Sequence, residues 1–198
     1  MARRSGLICG LDEAGRGALA GPVVAAAVVF DRPRPLRGLA DSKLLTAAQR
    51  EWLAERIVQR AVAWGVGEAS CEEINRLNIL RAALLAMQRA FEQLEWDERP
   101  LSIIVDGCHY PEGLPPGRAL AGADGSIGAV SAAGILAKVH RDRLMCELEK
   151  AHPQFSFARH KGYCTPQHLR ELLEHGPLPH HRAAFAPVRR LLQGRFWP

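Results

Sequence analysis

The chain has 198 residues, of which 47% are hydrophobic and 24% charged, and it carries a formal net charge of +5. That length allows one good core and is short for two, and the composition is that of a soluble globular protein rather than a disordered one. A pI near 9.2 favours an anionic partner such as nucleic acid, although a merely basic soluble enzyme would look the same.

Strand signals come first. Leu7 to Leu11 is short and apolar, and Val23 to Phe30 is longer and rich in valine and alanine. A glycine-rich connection between them suggests a bent hairpin. DRPRPLRGLADSK, residues 31 to 43, reads as a proline-rich loop. Helix signals follow. Thr46 and Gln49 make a capping box, Leu53, Ile57, Ala61 and Trp64 recur at helical spacing, and Gly65 can end that helix. Residues 64 to 70 can form a short strand. Ser70 and Glu73 make a second capping box, and Ile74, Leu77, Leu80, Leu84, Met87 and Phe91 then line one helical face that reads as core.

Leu101 to Val105 has the pattern of a buried strand and ends at Asp106-Gly107; Arg118 to Ala123 is a weaker strand ending at Asp124. A long helix is expected from about Val130 to Ala151, stopping before Pro153. Two more are expected near Pro166 to His175 and Pro187 to Gln193, each with proline at its start and glycine just past its end. Early strands and late helices in one continuous pattern predict an α/β fold.

Five cysteines (Cys9, Cys71, Cys108, Cys146 and Cys164) are odd in number and scattered, with no C-x-x-C. That speaks against a disulfide framework or a zinc site and for reduced thiols in a cytoplasmic protein. The longest apolar run is too short for a membrane span, and Arg3 and Arg4 precede no signal-peptide core.

Chemistry is suggested by placement. Asp12, Asp106 and Asp124 each stand where a predicted strand ends, and ligands of open α/β sheets bind beyond the carboxyl ends of strands. With Glu13 beside Asp12, four carboxylates would crowd one pocket, and they cannot all stay ionised without a counterion. Oxygen-only ligands suit Mg²⁺ or Mn²⁺. Taken singly, each aspartate reads equally well as a turn or cap residue. Two hard cations about 4 Å apart can clamp the attacking and leaving oxygens of a phosphodiester. This fits a sequence with neither a nucleophile elbow nor a phosphate-binding P-loop.

DEAGRG (12 to 17), ADSKLL (40 to 45), LNILRAALLAMQRA (77 to 90), IIVDG (103 to 107), SAAGILAKVHRDRLM (131 to 145), FARHKGY (157 to 163) and HHRAAFAPV (180 to 188) follow in order. Together they resemble the ribonuclease HII family, the type 2 bacterial ribonucleases H, over nearly the whole chain. The resemblance implies a ribonuclease H-like fold, a five-stranded mixed sheet flanked by helices. It implies a single catalytic domain over 1–198, with a helical C-terminal extension from about 153. It implies an endoribonuclease that cuts the RNA strand of RNA–DNA hybrids and nicks duplex DNA 5′ of a single embedded ribonucleotide, leaving 3′-hydroxyl and 5′-phosphate ends. It makes Asp12, Glu13, Asp106 and Asp124 the metal-site carboxylates. Gly15, Arg16 and Gly17 become the ribose-reading loop, Tyr163 the ring that stacks on the following deoxyribose, and Lys43 a substrate contact. The resemblance is equally consistent with a monomer.

Backbone glycines allow close approach to nucleic acid, and the 2′-hydroxyl is what separates RNA from DNA. Arg141, in the matching helix, reads either as a phosphate contact or as a salt-bridge partner of Asp142 or Glu147; Lys138 lies in the same segment. Four positions depart from the pattern. Ala18 stands for proline, suggesting a less rigid loop, and Ala123 for glycine. Gly134 stands for serine at a cost in helix propensity, and Ala184 stands for serine with loss of a hydroxyl. His180-His181 reads as a surface or packing pair. The tail LLQGRFWP resembles sliding-clamp peptides only in having a glutamine before paired aromatics; packing of Phe196 and Trp197 onto the domain is the expectation. The sister ribonuclease HIII type normally has an extra N-terminal domain, for which a first motif at residue 12 leaves no room. A non-catalytic binder on the same fold is disfavoured because all four carboxylates are present.

Overall fold

A computed structural model of the chain describes residues 6–31, 36, 38–39, 45–95 and 101–194. Its strands are β1 (Leu7–Ala14), β2 (Val23–Phe30), β3 (Ala63–Ala69), β4 (Leu101–Asp106) and β5 (Gly117–Leu120). They form one five-stranded mixed sheet in the order β3-β2-β1-β4-β5. β1 pairs antiparallel with β2 and β2 with β3, whereas β1–β4 and β4–β5 are parallel. β2 is buried along its whole length. A strand covered on both faces needs no polar alternation, which is why VVAAAVVF reads as one apolar run.

The helices are α1 (Ala47–Arg60), α2 (Cys71–Leu77), α3 (Ile79–Glu92), α4 (Gly128–Ala151), α5 (Phe157–His160), α6 (Pro166–His175) and α7 (Ala186–Leu192). On one sheet face Leu7, Cys9 and Leu11 pack with Ala82, Ala86, Met87 and Phe91 of α3. On the other, Val24, Ala26, Val28 and Phe30 pack with Leu53 and Ile57 of α1 and with Ala132, Ala133 and Leu136 of α4. Full burial of each large apolar side chain contributes roughly 1.5–3 kcal/mol, so the two layers hold the sheet from both sides. A third cluster joins Met145 of α4 to Phe155, Phe157, Leu172 and Val188 of the C-terminal helices. The fold is thus α/β, with a mixed sheet flanked by helices, as the sequence pattern predicts.

Four local expectations are corrected. α1 ends at Arg60, capped by Ala61, and does not run on to Trp64. Trp64, Gly65 and Val66 belong to β3, whose alternating burial is that of a strand. Gly65 does not terminate a helix: a Cβ there would overlap the Ala90 carbonyl of α3, so it lets that helix lie close on the sheet. The apolar stripe from Ile74 to Phe91 is two helices, broken at Asn78, which sits at φ 69°. Asparagine tolerates this left-handed φ, and its Oδ1 caps α3 by accepting from Leu80 N and Arg81 N at 3.0 and 3.2 Å. β5 stops at Leu120, and Asp124 lies in a separate 3-10 turn, Ala123–Gly125. Among the described residues no helix is long and apolar enough to cross a membrane.

Candidate active site

Asp12 and Glu13 lie within β1, opposite Ala26 and Ala25 of β2, rather than beyond the strand end. Strand alternation turns Asp12 toward the face covered by α4. The helix can come that close because its residue 134 is glycine: a Cβ there would overlap Asp12 Oδ2. The departure at Gly134 therefore has a steric counterpart in this chain. Asp106 is the last residue of β4, on the neighbouring parallel strand. Its Oδ1 accepts from Ala123 N at 2.8 Å. That bond fastens the turn bearing Asp124 to the end of β4, while the Ala123 methyl is buried against Ile104 and Val130. Asp124, which ends no strand, is thus brought to the cleft of Asp12 and Glu13 by a hydrogen bond between the end of β4 and its own 3-10 turn.

Asp12, Glu13 and Asp124 line a cleft of about 390 Å³ together with Gly15, Arg50, Gly134, Lys138 and Tyr163. Burial pushes the Asp12 carboxyl well above its ordinary range, and Glu13, Asp106 and Asp124 push it in the same direction. The Glu13 N–H opposes this by donating to Asp12 Oδ1 at 2.7 Å. Burial also raises Glu13, against the pull of Arg16, whose guanidinium donates to Glu13 Oε1 at 3.1 Å. Such a set of oxygen donors is electrostatically unsatisfied by the protein alone. That is the environment a hard divalent cation relieves. Among the described residues no three His, Cys, Asp or Glu side chains close into a cage. Mg²⁺-type sites commonly use one or two carboxylates and complete their shell with water and substrate phosphate, so the donor set fits such an ion.

The loop after β1 is gripped from below by two arginines that have no water contact. Arg141 of α4 and Arg182 are both fully buried. Arg141 donates to the carbonyls of Pro22 (3.0 Å), Ala20 (3.0 Å) and Lys161 (2.9 Å). Of its two expected roles, the salt bridge does not form: Asp142 pairs with Lys138 at 2.5 Å and Glu147 with Lys150 at 2.7 Å. Nor does its full burial leave it facing a phosphate. Arg182 donates to Arg16 O (2.9 Å), to Gly21 O twice (3.0 and 2.9 Å) and to Pro22 O (3.1 Å). Burial and the nearby Arg141 lower Arg182 to about 10, so it stays charged at neutral pH.

The two glycines of the loop differ. Gly15 is buried at φ +94°, and a Cβ there would overlap Arg141 Nε. Gly17 has no positive φ, and a Cβ there would meet open space. Gly15→Ala should therefore destabilise the fold by about 1–3 kcal/mol, whereas Gly17→Ala should melt with the wild type; thermal denaturation of both checks this. Ala18 contributes an N–H that proline would lack, and it donates to Gly15 O at 3.4 Å. Ala18 also forms an isolated antiparallel bridge with Tyr163, which brings the HKGY turn alongside the glycine loop. The Tyr163 ring stays partly exposed, 5.4 Å from the Arg141 guanidinium and 5.9 Å from Lys138 Nζ. Ala184 is exposed and its N–H donates to Asn75 Oδ1 at 3.0 Å.

Lys43, Phe196 and Trp197 lie outside the described residues. The sequence reading missed Arg50, which lines the cleft while donating to Leu45 O at 2.9 Å; on α1 it looks like any exposed cation of an amphipathic helix. It also missed Arg182, whose burial only the fold reveals. All five cysteines are free thiols, Cys9 and Cys71 of them buried.

The ribonuclease HII family profile matches residues 9–188. A ribonuclease HII of Paraburkholderia xenovorans is 54% identical over 184 residues, covering 92% of this chain and 73% of that protein. One from Xanthomonas axonopodis pv. citri is 55% identical over 193 residues, covering 96% and 78%. Among solved structures, ribonuclease H2 from Pyrococcus horikoshii OT3 superposes with a TM-score of 0.75 at 25% identity, covering 96% of this chain and 98% of that one. Bst-RNase HIII in complex with Mn²⁺ superposes at 0.74 and 21% identity, covering 96% and 70%, a likeness of fold alone. With its sheet order, its carboxylate-lined cleft and its relatives in agreement, the chain belongs to the ribonuclease HII family and is a metal-dependent endoribonuclease of the ribonuclease H type.

Proposed function

We propose that this chain cleaves the RNA strand of RNA–DNA hybrids and nicks duplex DNA on the 5′ side of a single embedded ribonucleotide, leaving 3′-hydroxyl and 5′-phosphate ends. The observation that carries the reading is that one cleft is lined by Asp12, Glu13 and Asp124, by Gly15, and by Tyr163. Carboxylates suited to phosphoryl chemistry and a surface suited to reading a sugar thus share one wall. Asp12, Glu13, Asp106 and Asp124 would hold Mg²⁺ or Mn²⁺, two ions during catalysis. When bound, such ions neutralise charge on the phosphate and help generate the attacking nucleophile.

The chain's own residues do the rest. The open backbone at Gly17 admits the ribose closely, where N–H and C=O groups can test for a 2′-hydroxyl. Arg16 is held toward the site by Glu13. Arg50 and Lys138 supply positive charge along the cleft wall for the phosphate backbone, so binding weakens as salt rises. Tyr163 presents its ring for stacking on the next sugar, which favours an RNA-to-DNA step. Residues from about 153 act as a helical extension that delivers this tyrosine, and Lys43 is retained as a substrate contact. Reduced thiols fit a cytoplasmic protein.

The decisive experiment compares cleavage of a uniform hybrid with cleavage of a duplex holding one ribonucleotide, with Mg²⁺ and Mn²⁺ in turn. Both should be cut, the second once, at its 5′ side. Tyr163→Ala should lose about 10-fold or more in kcat/KM at the single ribonucleotide, the worth of one stacked aromatic, and less on the hybrid. Equal loss on both substrates would remove Tyr163 from junction reading. Gly17→Ala should raise KM for both while its melting point stays that of the wild type.

A further inference from the structure

Three of the eight histidines converge behind the Tyr163 turn. His160, His168 and His181 are all buried, at 6%, 0% and 3% exposure. His160 and His168 stack with ring centroids 4.2 Å apart, and His168 Nε2 lies 3.0 Å from His181 Nε2. Two nitrogens at that distance can share only one proton, so the neighbours decide which ring carries it. Leu178 N–H donates to His181 Nδ1 at 2.8 Å, so that nitrogen is a bare acceptor. The neutral His181 ring therefore has its proton on Nε2 and donates it to His168 Nε2. His168 must then be protonated on Nδ1, which lies 2.9 Å from the Tyr163 carbonyl and donates to it. The third ring follows the same logic. Gly162 N–H donates to His160 Nδ1 at 3.1 Å, and His160 Nε2–H donates to Glu171 Oε2 at 2.9 Å. Every ring nitrogen is used, and the protons run one way, from Leu178 through two rings to Tyr163.

We infer that His168 and His181 are positioning residues for the substrate-facing Gly162–Tyr163 turn, which they hold through a one-way hydrogen-bond chain that exists only while both rings are neutral. The inference rests on the proposed role of Tyr163 for its effect on cleavage, but not for the chain itself. The same segment also braces the glycine loop. Ala20 bridges His181, Leu19 N donates to Gly162 O at 2.7 Å, and Gly21 N donates to His180 O at 2.9 Å.

Groups around the pair make an added proton unwelcome. His160 stacks on His168, and His180 adjoins His181 in sequence. His175 meets the pair only across Phe155, whose ring lies 5.8 Å from it, and Phe157 packs on both rings. Glu171 is the nearby anion, and His160 already occupies it. A proton added to either ring would set N–H against N–H. Burial lowers His168 to about 4 and His181 to about 3. Both folded values lie below the unfolded value near 6.5, so the chain contributes in full above that pH. Its contribution falls as pH drops from there toward 4.

The first test needs no variant. Nitrogen-15 side-chain spectra of the full chain at pH 7 should show Nε2–H tautomers for His160 and His181 and an Nδ1–H tautomer for His168. Neither His168 nor His181 should titrate near 6.5. A second tautomer at His168, or titration of His168 or His181 near 6.5, would overturn the inference. The second test is functional. His181→Leu removes the donor, and it should lower kcat/KM on the single-ribonucleotide duplex by about tenfold, the equivalent of one hydrogen bond. His181→Gln, which can both accept and donate, should recover most of that loss. Leucine and glutamine variants of equal activity would also overturn it. If the tautomers are as stated but Tyr163→Ala cuts normally, the reading of Tyr163 fails while the hydrogen-bond chain stands.

Discussion

Asp12→Asn protein should lose cleavage by about 10³-fold or more, yet melt higher than the wild type in the presence of a chelator. The first half follows from the proposed role of Asp12 as an anionic metal ligand, since metal stabilisation of developing charge is worth several kcal/mol. The second follows from the electrostatics of the metal-free site. Asp12 is held in a buried position with Glu13, Asp106 and Asp124 all opposing its charge. Asparagine keeps the shape and retains an oxygen to accept from Glu13 N–H, but it ends the repulsion. Relief of about 1 kcal/mol would raise the melting point by about 2–4 °C in a chain of this size. Added Mn²⁺ should then stabilise the wild type and leave the variant nearly unmoved, as expected when a ligand binds only the folded state. A variant whose melting point still rises with Mn²⁺ like the wild type's would take Asp12 out of the metal site.

Arg182→Ala should be the most destabilising single change outside the hydrophobic core. Four donated hydrogen bonds would vanish, leaving the Arg16, Gly21 and Pro22 carbonyls without these donors. Buried acceptors stripped of partners cost about 1–3 kcal/mol each when water cannot reach them, and partial relaxation brings the sum to roughly 3–5 kcal/mol. A fall in melting temperature of about 10 °C or more is expected. Cleavage should fall with it, because the Arg16 carbonyl anchors the loop proposed to face the ribose. Arg182→Lys should recover little, since one ammonium on a flexible stem cannot span three carbonyls as a planar guanidinium does. Melting of Arg182→Ala within 2 °C of wild type would show that the loop holds itself.

These two residues mark the boundary of what a sequence reveals. Asp12 announces itself, because a carboxylate pair at the end of an apolar run is expensive unless something positive sits there. Arg182 does not, since an arginine among histidines and alanines near a C-terminus looks solvated. The strong strands, both capping boxes and the long α4 were likewise legible, because each is encoded within a few neighbouring residues. Where two local patterns overlapped, the reading went astray. Ala61 and Trp64 continue a helical stripe, but α3 packs so close to Gly65 and Gly67 that those positions belong to a strand. Asn78 breaks a stripe of perfect helical period because its side chain caps the next helix better than it continues the last.

The sequence by itself thus determined the α/β class, which rests on short-range propensity, while residue type and the family resemblance nominated the carboxylate set and the glycine loop. Tertiary structure alone decided how those parts become one site. It placed Asp124 through the Asp106–Ala123 bond, brought Tyr163 beside Ala18, and gathered three scattered histidines into one hydrogen-bond chain. It also sent Arg182 back to Gly21, 161 residues earlier. Most of those partners lie far apart along the chain and meet only after the sheet and its helices have closed, so no short window contains the interaction. A buried polar group is satisfied by whatever the completed fold places within about 3 Å, and its residue type alone does not say what that will be.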